Sequence, residues 1–408
     1  MSKANGSTAT TSTVSKVNRT AIIETLKAHG PLSRAGIGEL TGLSPATVNR
    51  LTGSLIKERL VEVEGQKEST GGRPPLIIRY TGRARLVAAI QLATDKATGI
   101  LVDFDGEVVE RHQAEFGSEE VGGASAEGGA GGARLTVTLG LLDALLAAAE
   151  AQGRPCLGVG VSVPGVVSGP DGIVNSIPEL GWSNLPLGKI LRERTSVPVF
   201  LENDANAMAY GELQRGAGQH TSNLVALLLG NGLGAGIVTD GVLHRGARSA
   251  AGEVGYMLME RSSLRRSYGE LGDLEDRVGS QALTREARKK GINVPAGTLL
   301  TAHDILLLAA QGSEPAASEL ADGILDMISM AIAAMAIILD PEVIVVGSGL
   351  ATNSDLIIPG IRERLEGRIL EVPHLVPPAL GADAVIMGAA ELAMNSVSGL
   401  TYLAHHGG

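Results

Sequence analysis

Residues 33–56 read SRAGIGELTGLSPATVNRLTGSLI, and this stretch decides the fold of the N-terminal part of the chain. Ser33 precedes one helical pattern, Arg34 to Thr41, and Ser44 precedes a second that opens with proline. Serine is a favoured N-cap because its hydroxyl accepts a free backbone N–H, and proline suits the first helical position. Gly42 permits the tight turn between the two patterns. The stretch therefore predicts a helix-turn-helix.

The second of these helices combines an apolar stripe with a polar surface. Val48, Leu51 and Leu55 recur at helical spacing and predict its buried side. Asn and Arg can read base edges in the major groove of DNA. The predicted DNA-binding residues on and before this helix are Ser44, Pro45, Ala46, Thr47, Asn49 and Arg50.

The neighbouring segments complete a winged head. A helical pattern runs from Val17 to His29, and two strand patterns, 60–64 and 75–80, resemble the strands of a wing. Arg73 lies between glycine and proline in that wing, where an extended arginine suits a narrow A·T-rich minor groove. Two plainer alternatives stay open: a three-helix packing module for the head, and a simple turn around Arg73.

Charge divides the chain in the same way. Residues 1–85 carry 13 Lys and Arg against 6 Asp and Glu, although the whole chain has a net charge of −10. A basic head on an acidic body suits a nucleic-acid-binding module joined to a larger domain that avoids nucleic acid.

Composition limits the class of protein further. The 408 residues are 44% hydrophobic, which indicates a globular chain of two or three domains. The single cysteine, Cys156, excludes an intramolecular disulfide and a multi-cysteine zinc site. Gly, Pro or charge interrupts every apolar window, so no membrane span is expected, and the Ser/Thr-rich start lacks a secretory signal. We expect a cytoplasmic protein.

The body has an α/β pattern. Strand runs include Leu86–Leu92, Leu157–Val163, Leu224–Leu229 and Val343–Val346, with helices between several of them. Residues 117–133 form a Gly/Ala-rich segment that predicts a loop, and residues 230–236 are a glycine-rich turn between two strands of a hairpin, the second predicted at Gly236–Thr239. Asp204 follows a strand and starts a helix, where it serves either as a helix cap or as a general base.

Together these motifs resemble the ROK family of repressors, open reading frames and sugar kinases, in its transcriptional-repressor branch. The resemblance covers residues 16 to about 396 and rests on segments spread along the chain: Leu32–Arg34, Thr41–Ser44, Gly71–Pro74, Val163–Gly165, Glu202–Asn206, Gly230–Gly236, Ala251–Gly255 and Gly388–Ala390. It implies a winged helix-turn-helix followed by a two-lobed α/β body of the actin/hexokinase-like ATPase fold.

Domain boundaries follow from the resemblance. They are a disordered tail (1–15), the DNA-binding domain (16–80), a first lobe (84–200), a second lobe (201–384) and a C-terminal helix (385–397) that returns to the first lobe.

The chain departs from the family's kinases at the phosphate loop. Gln91-Leu92-Ala93-Thr94-Asp95 replaces Asp-X-Gly-Gly-Thr, so a neutral amide stands for a carboxylate and Asp95 repels phosphate. Phosphoryl transfer depends on positioning and charge neutralisation. We therefore expect no enzyme activity, although Asp204 would be the catalytic residue if the body were a kinase.

The family's zinc site is also altered. Tyr256 stands for a histidine, and Arg266, Tyr268 and Asp273 stand for cysteines. Tetrahedral zinc needs thiolate and imidazole ligands, so no metal is expected. Packing and charge pairs among Arg265, Arg266, Asp273 and Asp276 are expected to hold this loop instead.

Sugar-site residues are partly retained. Asn203, Asp204, Glu253 and Glu275 match family positions that hydrogen-bond sugar hydroxyls, whereas Glu179 replaces an asparagine and Tyr256 the zinc-linked histidine. The predicted ligand-binding set is thus Glu179, Asn203, Asp204, Glu253, Tyr256 and Glu275. A neutral hexose fits this set poorly, while an amino sugar, another cationic metabolite or a different polyol fits it; a vestigial cleft is the alternative.

The sequence predicts a sugar-responsive transcriptional regulator, most simply a repressor. Its expected partners are operator double-stranded DNA, a sugar-like effector and a second copy of the chain, as a homodimer or dimer of dimers; no cofactor and no membrane are expected. Two alternatives remain: a ROK sugar kinase that phosphorylates a hexose or amino sugar and retains a DNA-binding head, and a regulator whose body binds a protein partner.

Overall fold

The structure is a computed structural model that describes residues 11–58, 60–66, 76–116, 130–175, 177, 180–230, 232–268, 271–312, 314–348 and 354–398. Its N-terminal part has these elements: α1 (Thr11–His29), β1 (Leu32–Ser33), α2 (Arg34–Thr41), α3 (Pro45–Lys57), β2 (Val61–Gln66) and β3 (Leu76–Tyr80). β3 pairs antiparallel with both β1 and β2. Apolar side chains of the three helices and of β3 form one core, so the head is a helix-turn-helix with a sheet beside it.

The head differs from the sequence prediction at its start. A disordered tail is predicted through Ser15, but α1 already begins at Thr11. Once a helix has nucleated, each added residue gains a hydrogen bond, so the helix extends beyond its apolar pattern. The predicted minor-groove residue, Arg73, lies outside the described residues.

The first part of the body is built on one sheet. Its elements are β4 (Leu86–Leu92), β5 (Lys96–Asp103), β6 (Val108–Glu115), α4 (Ala130–Ala151), β7 (Cys156–Val163), β8 (Val167–Ser168), β9 (Ile173–Val174), α5 (Leu187–Arg194) and β10 (Val199–Asn203). The strand order is β10-β7-β4-β5-β6, with β4, β7 and β10 parallel. Ala130 to Ala133, predicted as loop, belong to α4.

The rest of the chain repeats this topology. Its elements are α6 (Asp204–Arg215), β11 (Leu224–Leu229), β12 (Leu233–Thr239), β13 (Val242–Leu243), α7 (Glu275–Val278), α8 (Ser280–Lys289), α9 (Ala302–Ala310), α10 (Pro315–Leu339), β14 (Val343–Ser348), α11 (Ser354–Leu365), β15 (His374–Val376) and α12 (Ala384–Ser398). The order β15-β14-β11-β12-β13 matches the first sheet strand for strand: three parallel strands and an antiparallel extension. The body therefore has two lobes of the same design.

α6 and α12 connect the lobes through very close backbone contacts. α12 packs on β4 and β7 of the first sheet, and α6 packs on β11 and β12 of the second. Gly388 of α12 lies so near α6 that an added Cβ would overlap the Ala207 carbonyl oxygen, and a Cβ on Gly160 of β7 would overlap the Ala389 carbonyl. The Gly388-Ala389-Ala390 motif is thus a packing motif.

Two helices are long and apolar enough to cross a membrane by length and composition alone, namely residues 131–151 of α4 and all of α10. α4 packs on β4, β5 and β6, and α10 packs on α9 and α11. Both helices thus contribute apolar side chains to the cores of the lobes. This packing explains why they are long and apolar, although the sequence predicts no membrane span.

The close approach of α12 to α6 yields a stability prediction. Gly388→Ala should lower the free energy of unfolding by about 1–3 kcal/mol, because the new methyl group has no room. The control is Gly323→Ala in α10, where nothing lies within 4 Å of the added Cβ; it should stabilise by up to about 1 kcal/mol through helix propensity. Urea unfolding followed by circular dichroism measures both. Equal stability of the two variants would contradict the packing argument.

Candidate functional site

The first candidate site is the exposed face of α3. Ser44 is its N-cap and accepts the backbone N–H of Thr47 at 3.3 Å, with Pro45 in the first turn. Gly42 ends α2 in the left-handed conformation at φ +68°, which a glycine adopts without strain. The turn between α2 and α3 thus forms as the sequence predicts, and it fixes where the start of α3 projects.

The structure places the predicted DNA-binding residues of this helix together on one surface. Exposed side chains are Ser44, Pro45, Ala46, Asn49 and Arg50, while Thr47 is half-buried. The Arg50 guanidinium has no hydrogen bond or ion pair with any described residue. A capped helix with free Asn and Arg side chains near its start has the geometry of a major-groove reader.

The other polar residues around α3 serve the fold. Arg19 of α1 forms an ion pair with Glu58 after α3, and the Ser54 hydroxyl donates to the same carboxylate. Arg34 donates to the buried Thr52 hydroxyl at 3.0 Å. These contacts lock α1 and α2 against α3, so they hold the recognition helix in one orientation.

The second candidate site lies at the carboxyl ends of the parallel strands of the first sheet, where β10 passes into α6. Asn203 is the N-cap of α6: its side-chain oxygen accepts the N–H groups of Ala205 at 2.9 Å and Asn206 at 3.2 Å. Its side-chain nitrogen donates to the Gly165 carbonyl at 3.1 Å. The cap is therefore Asn203 and not Asp204, and only one Asn203 N–H remains for a ligand.

Asp204 is the first residue of α6. Burial raises its pKa to about 7, with the nearby negative charge of Glu253 as a further cause, although the Ala205 N–H favours the ionised form. Burial also raises the pKa of Glu253. Two adjoining carboxyl groups that resist ionisation form a site that can accept or donate hydrogen bonds to ligand hydroxyls near neutral pH.

Glu275 and Tyr256 complete what the structure describes of this cluster. The Glu275 carboxylate lies so near Gly232 and Gly255 that a Cβ added to either would come within 2.8 Å of one of its oxygens. Tyr256 follows Gly255 and is 46% exposed. Glu253, Tyr256 and Glu275 thus lie on adjoining segments, while Glu179 lies outside the described residues.

The segment at the kinase phosphate-loop position is a tight hairpin turn. The Ala93 N–H donates to the Lys96 carbonyl at 2.8 Å, which leaves Thr94 and Asp95 as the central residues of the turn between β4 and β5. Side chains occupy the positions where the kinases have glycine, and Asp95 is exposed. A phosphate group would meet a carboxylate here and not a row of open backbone N–H groups.

The loop at the altered zinc motif is organised by Asp273. This buried carboxylate accepts the Met259 N–H at 2.7 Å, the Ser263 and Tyr268 hydroxyls, and Arg277 Nε at 2.9 Å. These hydrogen bonds outweigh the effect of burial and hold the pKa of Asp273 well below its usual value. The expected pairing of Asp273 with Arg265 or Arg266 is thus wrong. Arg277 pairs with it because it lies one helical turn further on.

Glu202 and Arg245, which were not predicted from the sequence, hold α6 in place. Buried Glu202 accepts the Asn203 N–H and the Asn206 side chain, each at 3.0 Å, and Arg245 Nε at 2.7 Å. Glu202 lies on β10 of the first sheet and Arg245 follows β13 of the second, so this ion pair spans the two lobes. The lobe boundary predicted after residue 200 is thus wrong by three residues, because β10 pairs with β7 as far as Asn203. The signal in the sequence was a glutamate at the end of a buried strand, where an unpaired charge is costly.

A further group of residues joins the head to the body. Tyr80 packs against both the head core and a body core, and its hydroxyl donates to the Phe104 carbonyl at 3.2 Å. Beside it, Arg215 at the end of α6 donates to the Asp105 carbonyl at 2.7 Å and forms an ion pair with buried Glu391. α6 therefore reaches from the carboxylate cluster to the joint.

Known protein families match both the head and the body of this chain. The ROK family profile matches residues 87–396, and a profile for winged helix-turn-helix DNA-binding domains matches residues 17–62. The xylose repressor of Caldicellulosiruptor bescii is 29% identical over 364 residues, which cover 86% of this chain and 88% of that protein. A glucokinase of Thermotoga maritima is 31% identical over 272 residues, covering 64% of this chain and 85% of the kinase.

Among solved structures, a ROK family transcriptional regulator described as a homologue of the E. coli MLC protein superposes with a TM-score of 0.78. It is 24% identical, and the match covers 95% of this chain and 98% of the regulator. The fold is thus that of a winged helix-turn-helix joined to a ROK sugar-kinase-like body. With the profile matching most of its length, the chain belongs to the ROK family.

Proposed function

We propose that this protein is a sequence-specific DNA-binding transcriptional repressor whose ROK body binds a sugar or sugar-derived effector. The observation that carries the proposal is the exposed start of α3, with Asn49 and Arg50 on a helix that two neighbouring side chains, Arg19 of α1 and Arg34 of α2, hold in one orientation. Ser44, Pro45, Ala46 and Thr47 would contact the same groove. Arg73, which lies between β2 and β3 in the sequence, would enter the adjacent minor groove.

The effector would bind at the carboxylate cluster. Asp204, Glu253 and Glu275 would accept ligand hydroxyls, and Asn203, Tyr256 and Glu179 would be further contacts of the ligand. Relatives named xylose repressors span nearly the whole chain, so D-xylose is the first compound to test. Amino sugars follow, since Glu179 adds negative charge to the set.

α6 would transmit the effect of effector binding from the carboxylate cluster to the head. Asn203 and Asp204 begin this helix, and Arg215 ends it at the Tyr80 joint. A ligand that favours one arrangement of the lobes shifts DNA affinity by its difference in affinity for the two arrangements. α6 gives that shift a short, rigid path to the head.

We also propose a homodimer or dimer of dimers in the cytoplasm. Operator reading by this type of head uses two copies on successive major grooves. The C-terminal half of α10 exposes Met330, Ile337 and Ile338, of which Ile338 is 77% exposed. An apolar helix face of this kind supports association between copies.

The body would not act as a kinase, because Thr94 and Asp95 occupy the turn that phosphate would need. The alternative, a sugar kinase with a DNA-binding head, is favoured by one observation: Asp204 is retained with a pKa of about 7, which suits a general base. A coupled assay for ADP release with D-xylose, hexoses and amino sugars separates the two. Turnover that Asp204→Asn abolishes would establish the kinase.

The repressor proposal makes a direct prediction. DNA selected from a random pool by the full-length protein should converge on a pseudo-palindrome, and the effector should lower affinity for it by about 5- to 150-fold, the usual range of allosteric coupling. Titration of labelled operator by fluorescence anisotropy, with and without each sugar, measures this. If no sugar changes the affinity, the body senses something else, a protein partner included.

The recognition surface can be tested by substitution. Asn49→Ala and Arg50→Ala should each weaken operator binding by about 1–3 kcal/mol and relax preference at one base position. The control is Arg83→Ala, which removes the same charge from an exposed side chain paired with Asp105 at the joint. Operator titrations against matched and single-mismatch sites give both quantities. Losses that are equal on all sequences would mean that α3 contacts only phosphates.

Effector binding should depend on pH through Asp204. A ligand hydroxyl donates to the ionised carboxylate, and with a pKa of about 7 the ionised fraction rises roughly tenfold between pH 6 and pH 8. Affinity should rise by about the same factor, with proton release on binding. The free energy of unfolding of the ligand-free protein should fall as the pH rises. Protonated Asp204 contributes its full stabilisation below the pKa that this group has in the unfolded chain, and the stabilisation is lost as the pH rises through 7.

Calorimetry in two buffers of different ionisation enthalpy measures the affinity and the proton release together. Asp204→Asn should remove the pH dependence. Glu253→Gln should move its midpoint to lower pH, because the neighbouring negative charge is gone. A pH profile that is unchanged in Asp204→Asn would assign the titration to another group.

A further inference from the structure

A cavity lies on the side of β10 that faces away from β7, its neighbour in the sheet. It has a volume of about 240 Å³ and is bounded by the β8–β9 hairpin, α5, the edge of β10 and α12. Pockets for drug-sized ligands usually measure about 300–1,000 Å³, so this cavity suits a smaller molecule. Its apolar floor includes Val199, Leu201 and Leu392.

Among the described residues, the charged side chains that line the cavity are Arg192, Arg245 and Glu202. Glu202 is already satisfied, since its two oxygens accept Arg245, the Asn203 N–H and the Asn206 side chain. The charge that remains for a ligand is therefore positive, on a chain whose net charge is −10.

Both arginines keep free donors. Arg192 uses one Nη to donate to the Pro170 carbonyl at 2.7 Å, and Arg245 uses Nε for Glu202. Their other N–H groups have no partner within the described part of the chain. Guanidinium groups present paired donors that match the oxygens of carboxylate and phosphate.

The two arginines come from different lobes. Arg192 is on α5 of the first lobe, and Arg245 follows β13 of the second. We propose that this cavity is a second binding site, separate from the carboxylate cluster, which takes a small phosphorylated or carboxylated metabolite between Arg192 and Arg245. Such an anion bridges the lobes on the side of β10 away from β7.

Binding of inorganic phosphate and of malonate to the full-length protein tests this site directly. Isothermal titration calorimetry is run at constant ionic strength, balanced with NaCl, so that general screening does not change. We expect saturable 1:1 binding of at least one anion, and the pair of probes distinguishes phosphate from carboxylate recognition. The absence of saturable binding of either overturns the proposal.

Arg192→Ala is the main variant, because Arg192 is exposed, whereas removing Arg245 also deprives buried Glu202 of its ion-pair partner. It should weaken anion binding at least tenfold. The matched control is Lys189→Ala, which removes one positive charge from the same helix outside the cavity and should bind as the unchanged protein does. Equal affinities of the two variants, whether both high or both low, overturn the proposal. Operator binding plays no part in this readout, so it stands apart from the repressor test.

Discussion

The contact between α6 and α12 is the constraint on which the rest of this structure depends. Gly388 meets the Ala207 carbonyl directly, and Gly160 brings β7 against Ala389 in the same way. Backbone-to-backbone packing at this distance leaves one relative position for the two helices. Since α6 lies on the second sheet and α12 on the first, this single crossing sets how the lobes meet and where Asn203 and Asp204 face.

The body combines a cluster of carboxyl groups with a phosphate-loop segment, residues 91–95, that differs from that of the family's kinases. Asp204, Glu253 and Glu275 lie on adjoining segments, and carboxyl oxygens can accept hydrogen bonds from several hydroxyl groups. Thr94 and Asp95 are the central residues of the turn between β4 and β5. Asp273 accepts hydrogen bonds from Met259, Tyr268 and Arg277, so a buried carboxylate organises the part of the 256–277 segment that the structure describes.

Much of this architecture could be predicted from sequence, where the signals are local. α2, β4 and β11 have the predicted bounds, because a capping serine with a left-handed glycine, or an unbroken apolar run, marks both ends. β12 begins at Leu233, three residues before its prediction, since its glycines pair within the sheet instead of forming a loop. Arg245 as the partner of Glu202, and Met259 as a partner of Asp273, could not be predicted, because they lie on segments that only the tertiary fold brings near.

The position of Tyr80 has a consequence for how such a protein can be taken apart. This ring belongs to the hydrophobic cores of both the head and the body, and its hydroxyl is fixed on the Phe104 carbonyl. A chimera that exchanges heads between relatives must therefore transfer the aromatic side chain together with the hairpin surface that receives it. Cutting the chain just after Tyr80 would remove this ring from the core of the body. A fragment that contains the body alone should therefore begin upstream of β3.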